Sequence, residues 1–303
     1  MKRCATFTLL LGLATGGLPA NEAALPPGLG SFVFQDPKAN PEKPVTVWYY
    51  RPETWAPSQR VLFVMPGMER DAERYRQAWL PPAREHQVLL LVPEFSKQHY
   101  PSAAYQRGGV SRQTDESQWT FALIEKLFDH VRAATGLERT NYLIYGHSGG
   151  GQFVHRLVQF MPHARFERAV AANPGYYTMP TFEKNFPYGF KESPMTDERV
   201  RRAFSRPLII LLGDQDTDPD AANLNRSAEA MAQGRHRFER GQHFYAAAKR
   251  LAAERAMPCQ WQMKVVPGVG HSNAGMTAEA AKILFAPRPT APRPPGGMRV
   301  EAH

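Results

Sequence analysis

The sequence predicts an α/β fold, with one doubly wound, mostly parallel sheet and helices on both of its faces. Two patterns predict this fold. Short, continuous apolar runs recur along the chain, and such runs are typical of parallel strands that are buried on both faces. The longer stretches between them carry apolar residues three or four positions apart, which is the spacing of an amphipathic helix. No segment repeats with the period of a solenoid or a propeller, so the sequence argues against both.

The apolar runs predict strands in this order along the chain: residues 45–50, 61–65, 88–92, 142–145, 169–172, 208–212 and 261–265. The last run alternates apolar and polar residues, as a strand near the edge of a sheet does. The runs up to residue 65 have no long helical stretch between them. We therefore expect these early strands to form an antiparallel edge of the sheet.

Helices are predicted between the later strands. Asp115 is a typical N-cap with Gln118 three residues later, and Gly136 is a typical residue at which a helix stops. Within that helix an apolar stripe is predicted to face the sheet: Trp119, Leu123, Leu127 and Val131. A second amphipathic helix follows the strand at 142–145 and has this apolar face: Phe153, Leu157, Phe160 and Met161.

The two ends of the chain differ from the middle. Residues 1–20 have the layout of a secretory signal peptide, because Lys2 and Arg3 precede a short apolar run that ends at small residues. A frayed N-terminal helix is the alternative. No apolar run reaches the roughly 20 residues of a membrane-spanning helix, so we expect an exported protein, periplasmic or secreted, without stable membrane insertion. Residues 28–286 are predicted to form one domain, and residues 287–303 a Pro-rich, mobile tail.

The composition is that of a globular protein that can bury a sizeable core, since 43% of the 303 residues are hydrophobic and 21% are charged. Loss of the signal peptide would remove Cys4 and leave Cys259 as the one remaining cysteine, so no internal disulfide is expected. The net charge of +9 is scattered along the chain. Its densest groups, expected to form a solvated basic surface, are Arg201 with Arg202, and Arg235 with Arg237 and Arg240. Without a zinc-finger or basic-aromatic motif, no nucleic-acid partner is expected.

A serine flanked by glycines stands directly after the strand at 142–145 and directly before the second helix. Gly146, Ser148 and Gly150 form the pattern G-x-S-x-G. Such a nucleophile elbow lifts the serine side chain above the sheet on a strained turn, and small neighbours let backbone segments approach closely. The bare pattern also arises by chance, but the strand before it and the helix after it make it more specific. Ser148 is therefore the predicted nucleophile.

A serine hydroxyl needs a base to take its proton and an acid to orient that base. Two later loops supply both residue types in the chain order serine, acid, histidine. His271 follows the last predicted strand, and Asp214, Asp216 and Asp218 follow the strand before it. Both loops lie at the carboxyl edge of the predicted sheet, where α/β folds bind their ligands. Asp216 is the predicted acid, with Asp214 and Asp218 as the alternatives to it.

Backbone N–H donors for an oxyanion are expected from the residue after the nucleophile and from the loop after an early strand. These residues are Gly149 and Met68. Gly67 allows the tight turn that would aim the Met68 amide inward. An ordinary Pro-Gly turn is the alternative interpretation of this loop.

An aromatic segment, residues 174–190, follows the strand at 169–172 and has neither strand nor helix period. Such an excursion can form a wall of the substrate pocket, although aromatic clusters also form core. Tyr176 and Tyr177 are its predicted substrate-binding residues. No His-Glu-x-x-His motif or carboxylate-rich metal loop occurs in the sequence, so neither a metal nor a cofactor is expected.

With these motifs the chain resembles the α/β-hydrolases, and among them the exported bacterial esterases of the polyhydroxybutyrate-depolymerase and feruloyl-esterase type. The residues that carry the resemblance are Pro66-Gly67-Met68, Gly146 to Gly150, Gly213 to Asp216, and Gly270 with His271. The resemblance implies an α/β-hydrolase fold over nearly all of residues 28–286. Many of these relatives carry His-Gly before the oxyanion residue, where this chain has Pro66 and Gly67.

The sequence therefore predicts a serine hydrolase, and in particular a carboxylic ester hydrolase that forms an acyl-enzyme with a small-molecule or oligomeric ester. A peptidase or amidase would use the same residues and is the first alternative. A non-catalytic binding protein that kept the scaffold is the second.

Overall fold

The computed structural model describes residues 25–36, 40–110 and 115–287. Within these ranges eight strands form one sheet: β1 (Gly28–Asp36), β2 (Asn40–Arg51), β3 (Val61–Met65), β4 (Leu89–Glu94), β5 (Tyr142–His147), β6 (Phe166–Ala172), β7 (Leu208–Gly213) and β8 (Gln262–Val266). Their order across the sheet is β1-β2-β4-β3-β5-β6-β7-β8. Strands β3 to β8 run parallel, and β1 and β2 add an antiparallel edge. The predicted signal peptide and residues 288–303 of the predicted tail lie outside the described residues.

The expectation that residues 61–65 belong to the antiparallel edge is wrong. Strand β3 lies between β4 and β5 and runs parallel to both. All five of its residues are buried, and alternate side chains enter the apolar clusters on the two faces of the sheet. The crossover from β3 to β4 is helix α1 (Ala72–Glu85), which the sequence concealed because Pro81 and Pro82 lie within it.

Strand β1 was not predicted, and its composition explains why. Only Phe34 and Asp36 are buried, and the other side chains are half-buried or exposed. The strand pairs with β2 alone, so one of its long edges has no partner within the sheet and its apolar signal is weak. The predicted antiparallel edge therefore exists, but it consists of β1 and β2.

Six further helices lie within the described ranges: α2 (Ala122–Thr135), α3 (Gly149–Phe160), α4 (Asp197–Phe204), α5 (Ala228–Met231), α6 (Arg237–Glu254) and α7 (Asn273–Phe285). Helices α1 and α7 contribute Trp79 and Leu284 to the apolar cluster on one face of the sheet. Helices α2, α3 and α6 contribute Leu127, Leu157 and Phe244 to the cluster on the other face. The predicted doubly wound arrangement is confirmed. In the described part of the chain, no helix has the length and apolar character that crossing a bilayer requires.

The predicted helix between Asp115 and Gly136 is divided in two. Asp115 caps a short 3₁₀ turn, Glu116–Gln118, by accepting a hydrogen bond from the amide of Ser117. Helix α2 begins only at Ala122, and it ends at Gly136, whose φ of 66° is the left-handed conformation that glycine favours. The predicted apolar stripe is nevertheless buried: Trp119, Leu123, Leu127 and Val131.

The two densest basic groups have different surroundings. Arg201 and Arg202 are exposed on α4. The expectation of a solvated surface is wrong for Arg237 and Arg240, whose exposed fractions are 2% and 0%. Arg240 donates hydrogen bonds to backbone carbonyl oxygens, and Arg237 forms an ion pair with a buried carboxylate. These partners allow the two guanidinium groups to be buried.

Candidate active site

Ser148 stands on a turn between β5 and α3 where the backbone is strained. Its φ is 55° and its ψ is −114°, and a residue other than glycine rarely adopts a positive φ. Its amide donates to the carbonyl of Ala172 at 2.9 Å, which ties the turn to β6. A Cβ on Gly146 would lie 2.2 Å from the Gly150 carbonyl oxygen, and a Cβ on Gly150 would lie 1.9 Å from that of Met65. Only glycine fits at either position, so the close approach of backbone segments requires the G-x-S-x-G pattern.

Three of the predicted site residues meet at the carboxyl ends of β5, β7 and β8. His271 Nε2 lies 3.0 Å from Ser148 Oγ, and His271 Nδ1–H donates to Asp216 Oδ2 at 2.7 Å. The Asp216 side chain is 3% exposed, whereas that of His271 is 20% exposed. In this arrangement the histidine can take a proton from the serine while the carboxylate orients its ring.

The two alternative acids do not contact His271. The Asp214 carboxylate accepts a hydrogen bond from the Gly268 amide at 2.8 Å. The Asp218 carboxylate accepts one from the Asp220 amide, also at 2.8 Å. Each therefore stabilises a loop, and Asp216 is the acid that the fold brings to the histidine.

The second oxygen of Asp216 is held by an arginine that sequence reasoning missed. Arg237 Nη1 donates to Asp216 Oδ1 at 3.3 Å, and Arg237 Nη2 donates to Asn223 Oδ1. The two charged side chains are 2% and 3% exposed, so the guanidinium supplies the counter-charge that a buried carboxylate needs. The Phe238 amide also donates to the Asp216 carbonyl, at 3.2 Å, which ties the start of α6 to this loop. Nothing in the local sequence distinguishes Arg237 from its basic neighbours.

The two predicted oxyanion donors lie on backbone segments that approach each other closely. A Cβ on Gly149 would lie 3.0 Å from the Met68 amide nitrogen, so glycine is what leaves this space open. Gly149 begins α3, and the first amides of a helix have no partner within it. In the described ranges the Met68 amide donates to no protein acceptor. Both N–H groups are thus free to bind an oxyanion beside Ser148.

A cleft of about 360 Å³ reaches Ser148 and His271. Side chains on its other walls include Met68, Arg74, Tyr75, His147, Asn223 and Asn273. A larger groove, of about 550 Å³, lies at the amino ends of β6, β7 and β8 and has neither a serine nor a histidine in its lining. The cleft at Ser148 is therefore the candidate active site. Among the described residues no group of three or more His, Cys, Asp or Glu side chains could hold a metal ion.

The predicted substrate-binding residues Tyr176 and Tyr177 do not line this cleft. Tyr177 is fully buried and stacks on Phe244, with the ring centroids 4.4 Å apart. Tyr176 is 6% exposed and packs against Arg156 and Tyr188. The position of these two rings gives no support to contact with substrate, because the aromatic segment packs as core instead.

Two solved structures are similar to this chain in both sequence and fold. The poly(aspartic acid) hydrolase-1 from Sphingomonas sp. KT-1 is 43% identical, with a TM-score of 0.83 over 86% of this chain and 100% of that chain. The poly(3-hydroxybutyrate) depolymerase LpqC from Bordetella parapertussis is 37% identical, with a TM-score of 0.81 over 86% of this chain and 89% of that chain. An S-formylglutathione hydrolase from Agrobacterium tumefaciens, 15% identical with a TM-score of 0.54 over 84% of this chain and 92% of that chain, is similar in fold alone. No family model and no curated protein matches the chain.

Proposed function

The chain belongs to the α/β-hydrolase superfamily, and from this premise we propose that it is a carboxylic ester hydrolase with Ser148 as its nucleophile. The relatives at 43% and 37% identity are hydrolases, which supports hydrolysis as the reaction class. One observation carries the finer proposal. His271 contacts Ser148 Oγ with one ring nitrogen and Asp216 with the other. Serine hydrolases of unrelated folds form acyl-enzymes through the same contacts.

In the proposed reaction His271 takes the Ser148 proton as Oγ attacks the ester carbonyl. The negative charge that develops on the carbonyl oxygen is stabilised by the amides of Met68 and Gly149. His271 then gives the proton to the departing alcohol, which leaves an acyl-enzyme. Water, deprotonated by His271, attacks the acyl group, and the acid product is released with Ser148 restored.

Asp216 holds the His271 ring in the orientation and tautomer that this proton transfer needs. When the imidazole gains the serine proton, the carboxylate stabilises the positive charge. Arg237 occupies the other carboxylate oxygen, which limits rotation of Asp216 away from the histidine. Arg237 is thus a positioning residue in this mechanism, because it acts through Asp216.

The test is hydrolysis of p-nitrophenyl acetate, butyrate and octanoate by the wild-type protein and by Ser148→Ala. We expect the variant to lose at least about 10³-fold in kcat/KM, because no other group can form the acyl-enzyme. Ser205→Ala is the matched control, since the Ser205 hydroxyl donates to the Arg202 carbonyl at an exposed position. Equal turnover by Ser148→Ala and wild type would reject Ser148 as the nucleophile.

Amide hydrolysis is the second candidate function, and one observation favours it. The relative at 43% identity is described as a poly(aspartic acid) hydrolase, and the same triad can cleave an amide. The test is the molar mass of poly(aspartic acid) after incubation with each protein, measured by size-exclusion chromatography. Shortening by the wild type but not by Ser148→Ala would establish amide cleavage. If neither esters nor the polymer react, labelling of Ser148 by a fluorophosphonate separates an enzyme with another substrate from a non-catalytic binding protein.

We also propose that the protein is exported after removal of residues 1–20, and that residues 28–286 form the catalytic domain. The described secondary structure, from Gly28 in β1 to Phe285 in α7, supports this domain extent. N-terminal sequencing of the protein from the periplasm and the medium tests the export proposal. A mature N-terminus that retains Lys2 and Arg3 would reject it.

A further inference from the structure

The loop that carries the Met68 amide, residues 66–68, belongs to neither a strand nor a helix. It is held by a backbone hydrogen bond from the Arg70 amide to the Gly67 carbonyl, at 3.1 Å, and by side chains. Tyr105 and Arg70 donate hydrogen bonds to two of its carbonyl oxygens, at 2.6 and 2.8 Å. These bonds hold only the acceptor groups of the loop. A third side chain, Tyr75 on α1, packs against Gly67 of the loop.

Tyr75 contacts both the oxyanion loop and the elbow. Its hydroxyl oxygen lies 3.1 Å from His147 Nδ1, and a Cβ on Gly67 would lie 2.8 Å from the same oxygen. Burial raises the pKa of Tyr75 to about 12, and the Gly67 amide that faces the phenol oxygen lowers this pKa by a smaller amount. Tyr75 therefore keeps its proton near neutral pH and has one hydrogen to donate.

That hydrogen is directed to His147. Burial, and after it the neighbouring His271 and Arg237, lower the pKa of His147 well below its ordinary value, so its imidazole is neutral. The protonated phenol, 3.1 Å from Nδ1, can donate its one hydrogen to this nitrogen. The imidazole proton is then on Nε2.

One ring nitrogen of His147 has no hydrogen-bond partner among the described residues, and this indicates a role for the contacts between Tyr75, Gly67 and His147. Nε2 is buried and has no hydrogen-bond partner in the described structure, although His147 is a wall of the cleft. A buried donor without a partner costs free energy, so stability alone does not account for the arrangement. The ring also lies beside the ring of His271, with the centroids 4.7 Å apart.

We propose that Tyr75 is a positioning residue that ties the oxyanion loop to the elbow, through Gly67 on one side and His147 on the other, and so keeps the Met68 amide aimed at the oxyanion. This inference rests on the proposed hydrolase function. Two successive residues of the loop then have different tasks: Gly67 packs against the Tyr75 hydroxyl, and the Met68 amide is left for the substrate. If the loop moved away from Ser148, the Tyr75 hydroxyl would lose its contact with Gly67 or its contact with His147.

The first test is Tyr75→Phe, which removes the hydroxyl and keeps the ring. We expect kcat for p-nitrophenyl butyrate to fall about 10- to 100-fold with KM changed less than about twofold, because the oxyanion forms only in the transition state. Affinity for a trifluoromethyl ketone, whose adduct with Ser148 carries an oxyanion, should fall by a similar factor. Tyr142→Phe is the matched control. Tyr142 lies at the start of β5, and its buried hydroxyl donates to Glu125 on α2.

A second pair of variants keeps the inference testable if Tyr75→Phe folds poorly. Asparagine at position 147 retains an acceptor near the place of Nδ1, whereas leucine removes it, so His147→Asn should retain more kcat than His147→Leu. The inference would be overturned if kcat fell in proportion to the fall in melting temperature in every variant, including Tyr142→Phe. Unchanged kcat in Tyr75→Phe beside an active wild type would also overturn it. An inactive wild-type protein that no fluorophosphonate labels would instead reject the proposed function.

Discussion

Two segments beside α3 are held by different kinds of contact: the elbow, which leads into the first turn of α3, and the aromatic segment, which packs against the helix. In the elbow, residues 146–150, added Cβ atoms on Gly146 and Gly150 would meet backbone atoms at 2.2 and 1.9 Å. In the aromatic segment, residues 174–190, a Cβ on Gly175 would meet a side chain, at 3.0 Å from Gln152 Nε2. The elbow is therefore held by backbone packed on backbone, which cannot yield, while the start of the aromatic segment packs on side chains, which can.

Besides ring contacts, three hydrogen bonds made by Thr178 join the aromatic segment to α3. Its amide donates to His155 Nε2 at 3.2 Å, and its hydroxyl accepts from Arg156 Nε at 2.8 Å. Its carbonyl accepts from Gln159 Nε2 at 2.8 Å. The difference teaches that the elbow tolerates almost no added atom, whereas the start of the neighbouring segment meets α3 through side chains. Further along that segment, a Cβ on Gly189 would again meet backbone, 2.5 Å from the Lys184 carbonyl oxygen.

The largest expected effect comes from adding one methyl group in each region. Gly150→Ala should lower the free energy of unfolding by at least about 3 kcal/mol, because α3 must move away from the Met65 carbonyl. Gly175→Ala should cost less than about 1 kcal/mol, because the end of the Gln152 side chain can move. Urea unfolding at pH 7 measures both. Equal losses would contradict the proposed difference in packing.

The next largest effect is expected at Arg237, and it tests whether the tightly packed region around the elbow extends to this residue. Arg237→Met should lower kcat/KM for p-nitrophenyl butyrate about 10- to 100-fold, because it leaves Asp216 Oδ1 without its buried partner. Arg240→Met is the matched control, since that arginine, also buried on α6, binds backbone carbonyls. The kinetics should be measured beside urea unfolding of each variant. A similar loss of activity in both would show that Arg237 acts on folding and not through Asp216.

A smaller effect is expected at His155, which accepts a hydrogen bond from the Thr178 amide of the aromatic segment. Burial, and after it Arg156, lower the pKa of His155 well below its ordinary value. Below about pH 6.5 the unfolded state therefore binds a proton that the folded state does not, and stability falls as the pH falls, by up to about 1.4 kcal/mol per pH unit for this group. His155→Asn should reduce the slope of unfolding free energy against pH between about pH 6.5 and 5.

The control for this pH dependence is His163→Asn, since that imidazole side chain is 61% exposed. His147 has a pKa shifted in the same direction, so part of the slope should persist in His155→Asn. An unchanged slope in His155→Asn would show that the tie through Thr178 does not respond to protonation.

The smallest expected effect is that of Tyr176→Phe on substrate preference. Tyr176 packs on Arg156 and Tyr188 and does not line the cleft, so the variant should keep kcat/KM within about twofold for acetate, butyrate and octanoate esters. The ratio of these three kcat/KM values is the measurement. A changed order of preference would support the prediction that this segment binds substrate.

The sequence was informative where function depends on the path of the backbone. The glycines at 146 and 150 were recognisable because a strand leads into the pattern and a helix leads out of it. The aromatic segment was less informative, because aromatic density does not tell a pocket wall from core when no period shows which side faces inward. Helix α1 was concealed by Pro81 and Pro82, and with it the parallel crossover that places β3 inside the sheet.

By itself the sequence determined the doubly wound sheet, the elbow at Ser148, and the strand-end loops from which Asp216 and His271 extend. Only the tertiary structure decided that Arg237 meets Asp216 and that Tyr75 meets His147. The physical reason is the range of the forces involved. Steric limits on φ and ψ act over a few residues and leave a pattern in the sequence, whereas the surroundings of one arginine or tyrosine depend on which distant segment packs over it.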